Sequence, residues 1–384
     1  MSDWISYEAL LTEGYRRCAK LTWRYGTTYF WAAALLPKPQ RKHVHAIYAL
    51  CRLADDIVDL PNGQDTSCPE SVDQEVRAST SSARMSDDAI PSEREPIEGD
   101  QSGASTSSAH ISDDAIATEP EAIPGEPDPT LPELVDPRTS VGAQLEAFAE
   151  QFRTSLAAGE STDPVMAAVV HTVITCGIEP ECFDRFFNAM AMDLTTASYQ
   201  TWEDLCTYME GSAAVIGEMM LPVLEPISEA AKAPARSLGL AFQLTNFLRD
   251  VDEDLDRGRV YLPQDDLRLF DVNLEQRSVT HEWRAFLAYE IERNRALYSF
   301  ADTGIAMLPP RSARCVGAAR VLYARILSEI ERNGYDVFSQ RARVPTSRKA
   351  ATAARIMVTG PRTLKKRAEL YQRRRTTDVT QDTY

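Results

Sequence analysis

The sequence predicts a single all-α domain interrupted by one long acidic insertion. Three observations predict the helical class. Apolar residues recur near a 3.6-residue period in almost every segment outside 62–137. No run alternates convincingly enough to be a strand. Prolines 37, 164, 180, 222 and 263 fall between the periodic runs, where turns are expected. With 384 residues and 43% hydrophobic content, the chain has material for a sizeable core.

Taken in order, the helical runs are "RKHVHAIYALCRLADDIVD" (41–59), "SVGAQLEAFAEQFRTSLAAG" (140–159), "PECFDRFFNAMAMDLTTASY" (180–199), "WEDLCTYMEGSAAVIGEMMLPVL" (202–224), "APARSLGLAFQLTNFLRDVDEDLD" (233–256) and residues 318–338. The apolar stretch "PVMAAVVHTVITCGIEP" is interrupted by His171 and too short to span a bilayer. The N-terminus carries acids where a signal peptide needs an apolar core. Seven scattered cysteines, none in a C-x-x-C pair, argue against disulfide frameworks and zinc sites and for a reducing compartment. A cytoplasmic location is expected, with at most a peripheral membrane contact.

Residues 62–137 differ in kind. They hold 18 acidic and 3 basic residues and no Phe, Trp or Tyr, so they account for nearly all of the net charge of −16. "ASTSSARMSDDAI" at 78–90 returns as "ASTSSAHISDDAI" at 104–116. Two copies without aromatic anchors cannot bury a core, and low hydrophobicity with high charge predicts disorder. The expected organisation is a folded domain of 1–61 and 138–345, a disordered insert at 62–137, and a basic tail at 346–384.

Two helix faces carry the chemistry. Tyr48, Arg52, Asp55 and Asp59 share one face at i, i+4, i+7 and i+11, while Ile47, Leu50, Leu53, Ile57 and Val58 surround it. Gln243, Asn246, Asp250 and Asp254 repeat the arrangement, with Phe247, Leu248 and Val251 on other sides. A helix apolar around most of its circumference is usually buried, so its polar face should line a cavity. Two buried acidic faces repel unless cations lie between them. Oxygen donors without nearby His or Cys suit Mg²⁺ or Mn²⁺ shared with substrate phosphates. Arg52, Arg249, Arg257 and Arg259 supply positive charge for a diphosphate. "DVDEDLDRG" is not a calcium loop: counting from Asp250, Leu255 and Tyr261 occupy the positions that need Gly and Glu, and counting from Asp252, Arg257 and Pro263 do.

These residues resemble a family, the head-to-head prenyl synthases that make squalene and phytoene. "YALCRLADDIVD" looks like its first aspartate-rich motif and "FQLTNFLRDVDEDLDRGRVYLPQDDL" like its second, the "GRVYLPQDDL" part being closer to phytoene synthases. The resemblance covers about 20–61 and 139–345. It implies an α-helical isoprenoid-synthase fold with a central cavity, and a prenyltransferase of the 15-cis-phytoene synthase type. The implied reaction joins two geranylgeranyl diphosphates through prephytoene diphosphate. By position, it implies metal ligands at Asp55, Asp56, Asp59, Asn246, Asp250 and Asp254, and catalysis through Asp55, Asp59, Asp250 and Asp254. It implies substrate contacts at Thr27, Thr28, Tyr48, Arg52, Tyr208, Gln243, Arg249, Tyr323 and Arg341, with Tyr29 lining the cavity. Gly26 departs from the pattern, standing where a serine is often found.

Mg²⁺ is the expected cofactor, with Mn²⁺ as the alternative. No nicotinamide cofactor is expected, because phytoene formation ends in proton loss and not in hydride delivery. Prenyl diphosphates are the expected partners, with anionic headgroups and a downstream carotenoid desaturase as further ones; no nucleic acid is expected. The rival readings are a squalene, dehydrosqualene or hydroxysqualene synthase acting on farnesyl diphosphate, a chain-elongating prenyltransferase or terpene cyclase, and a non-catalytic assembly factor. The elongase is disfavoured by Asn246, and the assembly factor by the retention of both aspartate sets.

Overall fold

Helical periodicity becomes helix over most of its length in the computed structural model, which describes residues 2–59, 137–342 and scattered positions as far as 356; the runs read as far as 199 and 338 end as helix at Met192 and Arg332. Contacts gather Met1–Asn62 and Asp136–Tyr384 into one unit. The insertion read at 62–137 lies outside the described residues except for Pro137, as does most of the basic tail.

The helices are α1 (Ser2–Tyr25), α2 (Thr27–Ala33), α3 (Lys38–Asp59), α4 (Pro137–Ala158), α5 (Pro164–Cys176), α6 (Glu181–Met192) and α7 (Trp202–Met209). A π-helical turn, Glu210–Ala214, leads into α8 (Val215–Leu224). Then come α9 (Lys232–Arg249), α10 (Val251–Asp256), α11 (Gln264–Leu269), α12 (His281–Ile305) and α13 (Pro310–Arg332). Among the described residues there is no strand, only an isolated bridge between Ser198 and Val260.

Local chemistry sets the ends. The apolar run from 164 is a short core helix: Asp163 caps α5 by accepting from Met166 N at 2.7 Å, and Gly177 ends it at φ 65°. Thr201 and Asp204 close a reciprocal capping box on α7, at 3.1 and 2.9 Å. Pro222 is the exception among the expected punctuating prolines, because it lies within the last turn of α8. No described helix is long and apolar enough to cross a membrane.

Packing divides the apolar interior. One cluster gathers Ala46, Ile47 and Leu50 of α3 with Val169 of α5, Phe152 of α4, Phe183 and Phe186 of α6, and Met219 of α8. Another joins Leu244 and Leu248 of α9 to Phe286, Leu287 and Ile291 of α12 and Leu327 of α13. Helix α9 is central, packed against α12, α8, the π turn and α13. Gly239 makes the approach to the π turn possible: a Cβ there would lie 2.2 Å from the carbonyl oxygen of Ala213. Two histidines meet a tyrosine at one helix junction. Tyr15 Oη lies 2.8 Å from His171 Nδ1 and 3.2 Å from His43 Nδ1, in a pocket between α1, α3 and α5.

The run 233–256, which reads as one helix, breaks at Asp250 (φ −105°, ψ 15°). The hydrogen-bond register survives the break: Asp250 N donates to Asn246 O and Asp254 N to Asp250 O, each at 2.9 Å. The acidic face therefore stays in line while the helix bends.

Gly239→Ala tests the close approach at the π turn. Helix propensity alone would gain about 1 kcal/mol, whereas overpacking costs about 1–3 kcal/mol. The expected outcome is a lower urea midpoint than wild type; an unchanged or higher one would show that α9 can move away freely.

Candidate active site

Helix α3 buries Ile47, Leu50, Ala54, Ile57 and Val58 and keeps Tyr48, Arg52, Asp55 and Asp56 half-buried on the opposite side, with Asp59 exposed at its end. Helix α9 buries Ala241, Leu244, Thr245 and Leu248 and leaves Gln243, Asn246 and Arg249 half-buried. The two acidic faces meet. Arg259, just after α10, donates to Asp59 Oδ1 at 2.9 Å, and Arg257 stands 3.7 Å from Asp59 Oδ2.

Electrostatics report the same meeting. Burial, and then the neighbouring Asp59, push the Asp55 carboxyl up to about 7. Burial, and then Asp250, push Asp254 up to about 7, with Asp59 adding to it. Neither side chain takes a hydrogen bond among the described residues. The remaining acids are held by arginines: Arg52 donates to Asp56, while Arg249 and Arg341 both grip Asp250 with two hydrogen bonds each. Among the described residues no three carboxylate, imidazole or thiolate side chains already converge as a metal cluster.

Aromatic rings flank these faces in two groups. Tyr29 of α2 lies 5.2 Å from Tyr323, 5.7 Å from Tyr48 and 5.9 Å from Phe242, between ring centroids, and Phe242 lies 4.4 Å from Tyr323. Burial holds the Tyr29, Tyr48 and Tyr323 phenols above their ordinary range, so they stay neutral. Gly26 belongs to this arrangement, since a Cβ there would fall 2.6 Å from the Tyr48 ring. A serine at 26 would have to displace that ring. Thr28 is half-buried nearby, and the side chain of Thr27 lies outside the described residues.

The second group stacks Tyr261 on Phe247 at 4.1 Å and beside Tyr208 at 5.8 Å. Tyr208 is fully buried and donates to Asp193 Oδ2 at 2.7 Å, while Tyr261 donates to Asp193 Oδ1 at 3.1 Å. Tyr208 and Tyr261 thus share one carboxylate, that of Asp193. Sequence reasoning missed Asp193, which follows α6 directly and feels both Arg259 and Asp59. A signal was present: an acid at a helix C-terminus opposes the helix dipole, so it needs another reason to be there.

Several solved structures share this fold. A squalene synthase from Alicyclobacillus acidocaldarius matches with TM-score 0.60 and 24% identity, covering 85% of this chain and 96% of that one. A dehydrosqualene synthase solved with a ligand matches with TM-score 0.66 and 20% identity, covering 90% and 96%. At such identities the likeness speaks for the fold, an all-α isoprenoid-synthase fold. The sequence matches the squalene/phytoene synthase family over 23–97 and 128–348. The chain belongs to that family, and it is a prenyltransferase. The 15-cis-phytoene synthase of Synechococcus elongatus is 30% identical over 356 residues, covering 89% of this chain and 91% of the relative. The phytoene synthase of Arthrospira platensis is 30% identical over 357 residues, covering 89% and 91%. The family match skips 98–127, the stretch that holds the second "ASTSSA…SDDAI" copy.

The two raised carboxyls give a stability test. An aspartate with a folded pKa near 7 and an unfolded value near 3.9 binds more protons when folded, so stability falls as pH rises through that window. The penalty is complete above pH 7. In EDTA, Asp254→Asn should raise the thermal midpoint at pH 8 and lose that advantage near pH 4. An equal effect at both pH values would mean that Asp254 is not held protonated by its surroundings.

Proposed function

We propose that the chain joins two geranylgeranyl diphosphates head to head, through prephytoene diphosphate, to phytoene, with release of diphosphate. The C20 substrate is supported by likeness to relatives named phytoene synthase and by the run "LRDVDEDLDRGRVYLPQDDL". The observation that carries the chemistry is the Asp59–Arg259 contact, which sets the acidic face of α3 against the one on α9 and α10.

The residues fit a divalent cation, Mg²⁺ or Mn²⁺. The donors are all oxygens, Asn246 Oδ1 is buried without a hydrogen-bond partner, and Asp55 and Asp254 are penalised by their own neighbours. Asp55, Asp59, Asn246, Asp250 and Asp254 would hold the ion, with Asp56 beside them. When bound it supplies Lewis-acid stabilisation of a departing diphosphate.

The chain's own residues do the rest. Arg52, Arg249, Arg257, Arg259 and Arg341 offer guanidinium donors to diphosphate oxygens, with Gln243 and Thr28 as neutral donors. The allylic C–O bond breaks and its electron pair leaves with the diphosphate. The double bond of the second chain attacks the resulting cation, and proton loss closes a cyclopropane. The second diphosphate then leaves, the skeleton rearranges, and a final proton loss gives the central double bond. The faces of Tyr29, Tyr48, Phe242 and Tyr323, which cluster together, offer π density to cationic carbon, and apolar walls exclude the water that would quench it. Because the last step is proton loss, no nicotinamide is needed. The product is an apolar hydrocarbon, so a membrane surface and a desaturase that consumes phytoene fit as partners.

Asp55→Ala or Asp250→Ala should lower turnover by orders of magnitude with the helical circular dichroism signal intact. EDTA should abolish activity and Mg²⁺ restore it. Farnesyl and geranylgeranyl diphosphates competed in one assay should give a C40 product without NADPH. Because each methylene carries about 0.8 kcal/mol of burial, the preference should appear as a kcat/KM ratio. A hydrocarbon pool dominated by C30 would move the assignment to the squalene type.

The insertion, read as a solvent loop, should be dispensable for this chemistry. Replacing 65–135 with a short Gly/Ser linker should keep folding and most activity. Strong protection of its amides from hydrogen exchange would overturn that reading.

A further inference from the structure

The Asp250 carboxylate is saturated. Its Oδ1 accepts from Arg249 Nε at 2.6 Å and Arg341 Nε at 2.8 Å, and its Oδ2 accepts from Arg249 Nη2 at 2.5 Å and Arg341 Nη2 at 2.8 Å. A carboxylate has about four lone-pair positions, and here two guanidinium forks fill all of them. No cation can bind Asp250 until one arginine leaves.

The surroundings identify which one. Arg249 is the adjacent residue at the end of α9, with 17% of its side chain exposed. Arg341 reaches in from the segment after α13, is 33% exposed, and already stands 3.3 Å from Glu253 Oε2. Its segment is anchored by buried Val337 on one side and Ala342 on the other, so the side chain can swing while the backbone stays in place.

We propose that Arg341 is a placeholder on Asp250, keeping that half-buried carboxylate neutralised until a divalent cation replaces it. Once displaced, the guanidinium pairs with Glu253 or with the substrate's diphosphate. Arg341 is in this sense a positioning residue whose two partners are used in turn. The inference rests on the metal-dependent reading above and adds the order of events to it.

The test is Mn²⁺ binding to the metal-free full-length protein, followed by electron paramagnetic resonance of the free ion, without substrate. Arg341→Lys keeps the charge but loses the two-point grip, and Arg341→Gln removes both. Both variants should bind Mn²⁺ about tenfold more tightly, since one hydrogen bond to a charged group carries roughly that factor. Inorganic diphosphate, added with Mn²⁺, should bind more weakly to Arg341→Gln than to wild type. Wild-type Mn²⁺ affinity in both variants would overturn the proposal, and so would tighter binding in Arg341→Gln alone, which is what simple removal of a positive charge produces. If Asp250→Ala leaves Mn²⁺ binding unchanged, the metal reading itself fails, and that result is separate from the Arg341 variants.

Discussion

The structure depends on holding like charges together in a half-dry space. Asp55 and Asp59 of α3 face Asp250, at the break after α9, and Asp254 of α10, and would drive these helices apart if nothing intervened. Arginines intervene wherever they can reach: Arg257 and Arg259 at Asp59, and Arg249 and Arg341 at Asp250. Where they cannot, the carboxyl resists ionisation. Apolar burial of α3 and α9 supplies the force that keeps the repelling faces opposed, which is why both helices are apolar on their other sides. Stability is given up locally where the two faces oppose each other.

Much of this was legible in the sequence, because the signals are periodic and local. The spacing of Tyr48, Arg52, Asp55 and Asp59 sets one face whatever the partner. The break at Asp250 was not legible. No Gly or Pro marks it, and the hydrogen-bond register passes through it. Arginine pairing was hidden for another reason. Arg259 reads as a diphosphate donor and Arg341 as a substrate contact in sequence, but only the folded chain shows that each serves an aspartate from a distant segment.

Asp193 shows how a supporting residue escapes a motif search. It touches Tyr208 and Tyr261 through hydrogen bonds and feels Asp59 and Arg259 through space, yet belongs to no acidic cluster along the chain. Its work is indirect: it fixes two phenols whose rings, with Phe247, form a stack beside the second acidic face. Burial lifts its carboxyl above the usual range, and hydrogen bonds from the phenols pull against that lift. The aromatic layer is therefore both apolar packing and a polar support.

The Asp59–Arg259 contact joins residues 200 apart in the chain, and Asp250–Arg341 joins residues 91 apart. Contacts of such separation form late, because the intervening chain must be ordered before they reward its loss of entropy. A growing polypeptide can thus pack α3 against α5 and α6 well before it owns a complete charge pattern. Until Arg341 has left the ribosome, Asp250 lacks one of its two partners. The charge pattern of the site is thus finished only by a residue 91 positions beyond the acid it neutralises.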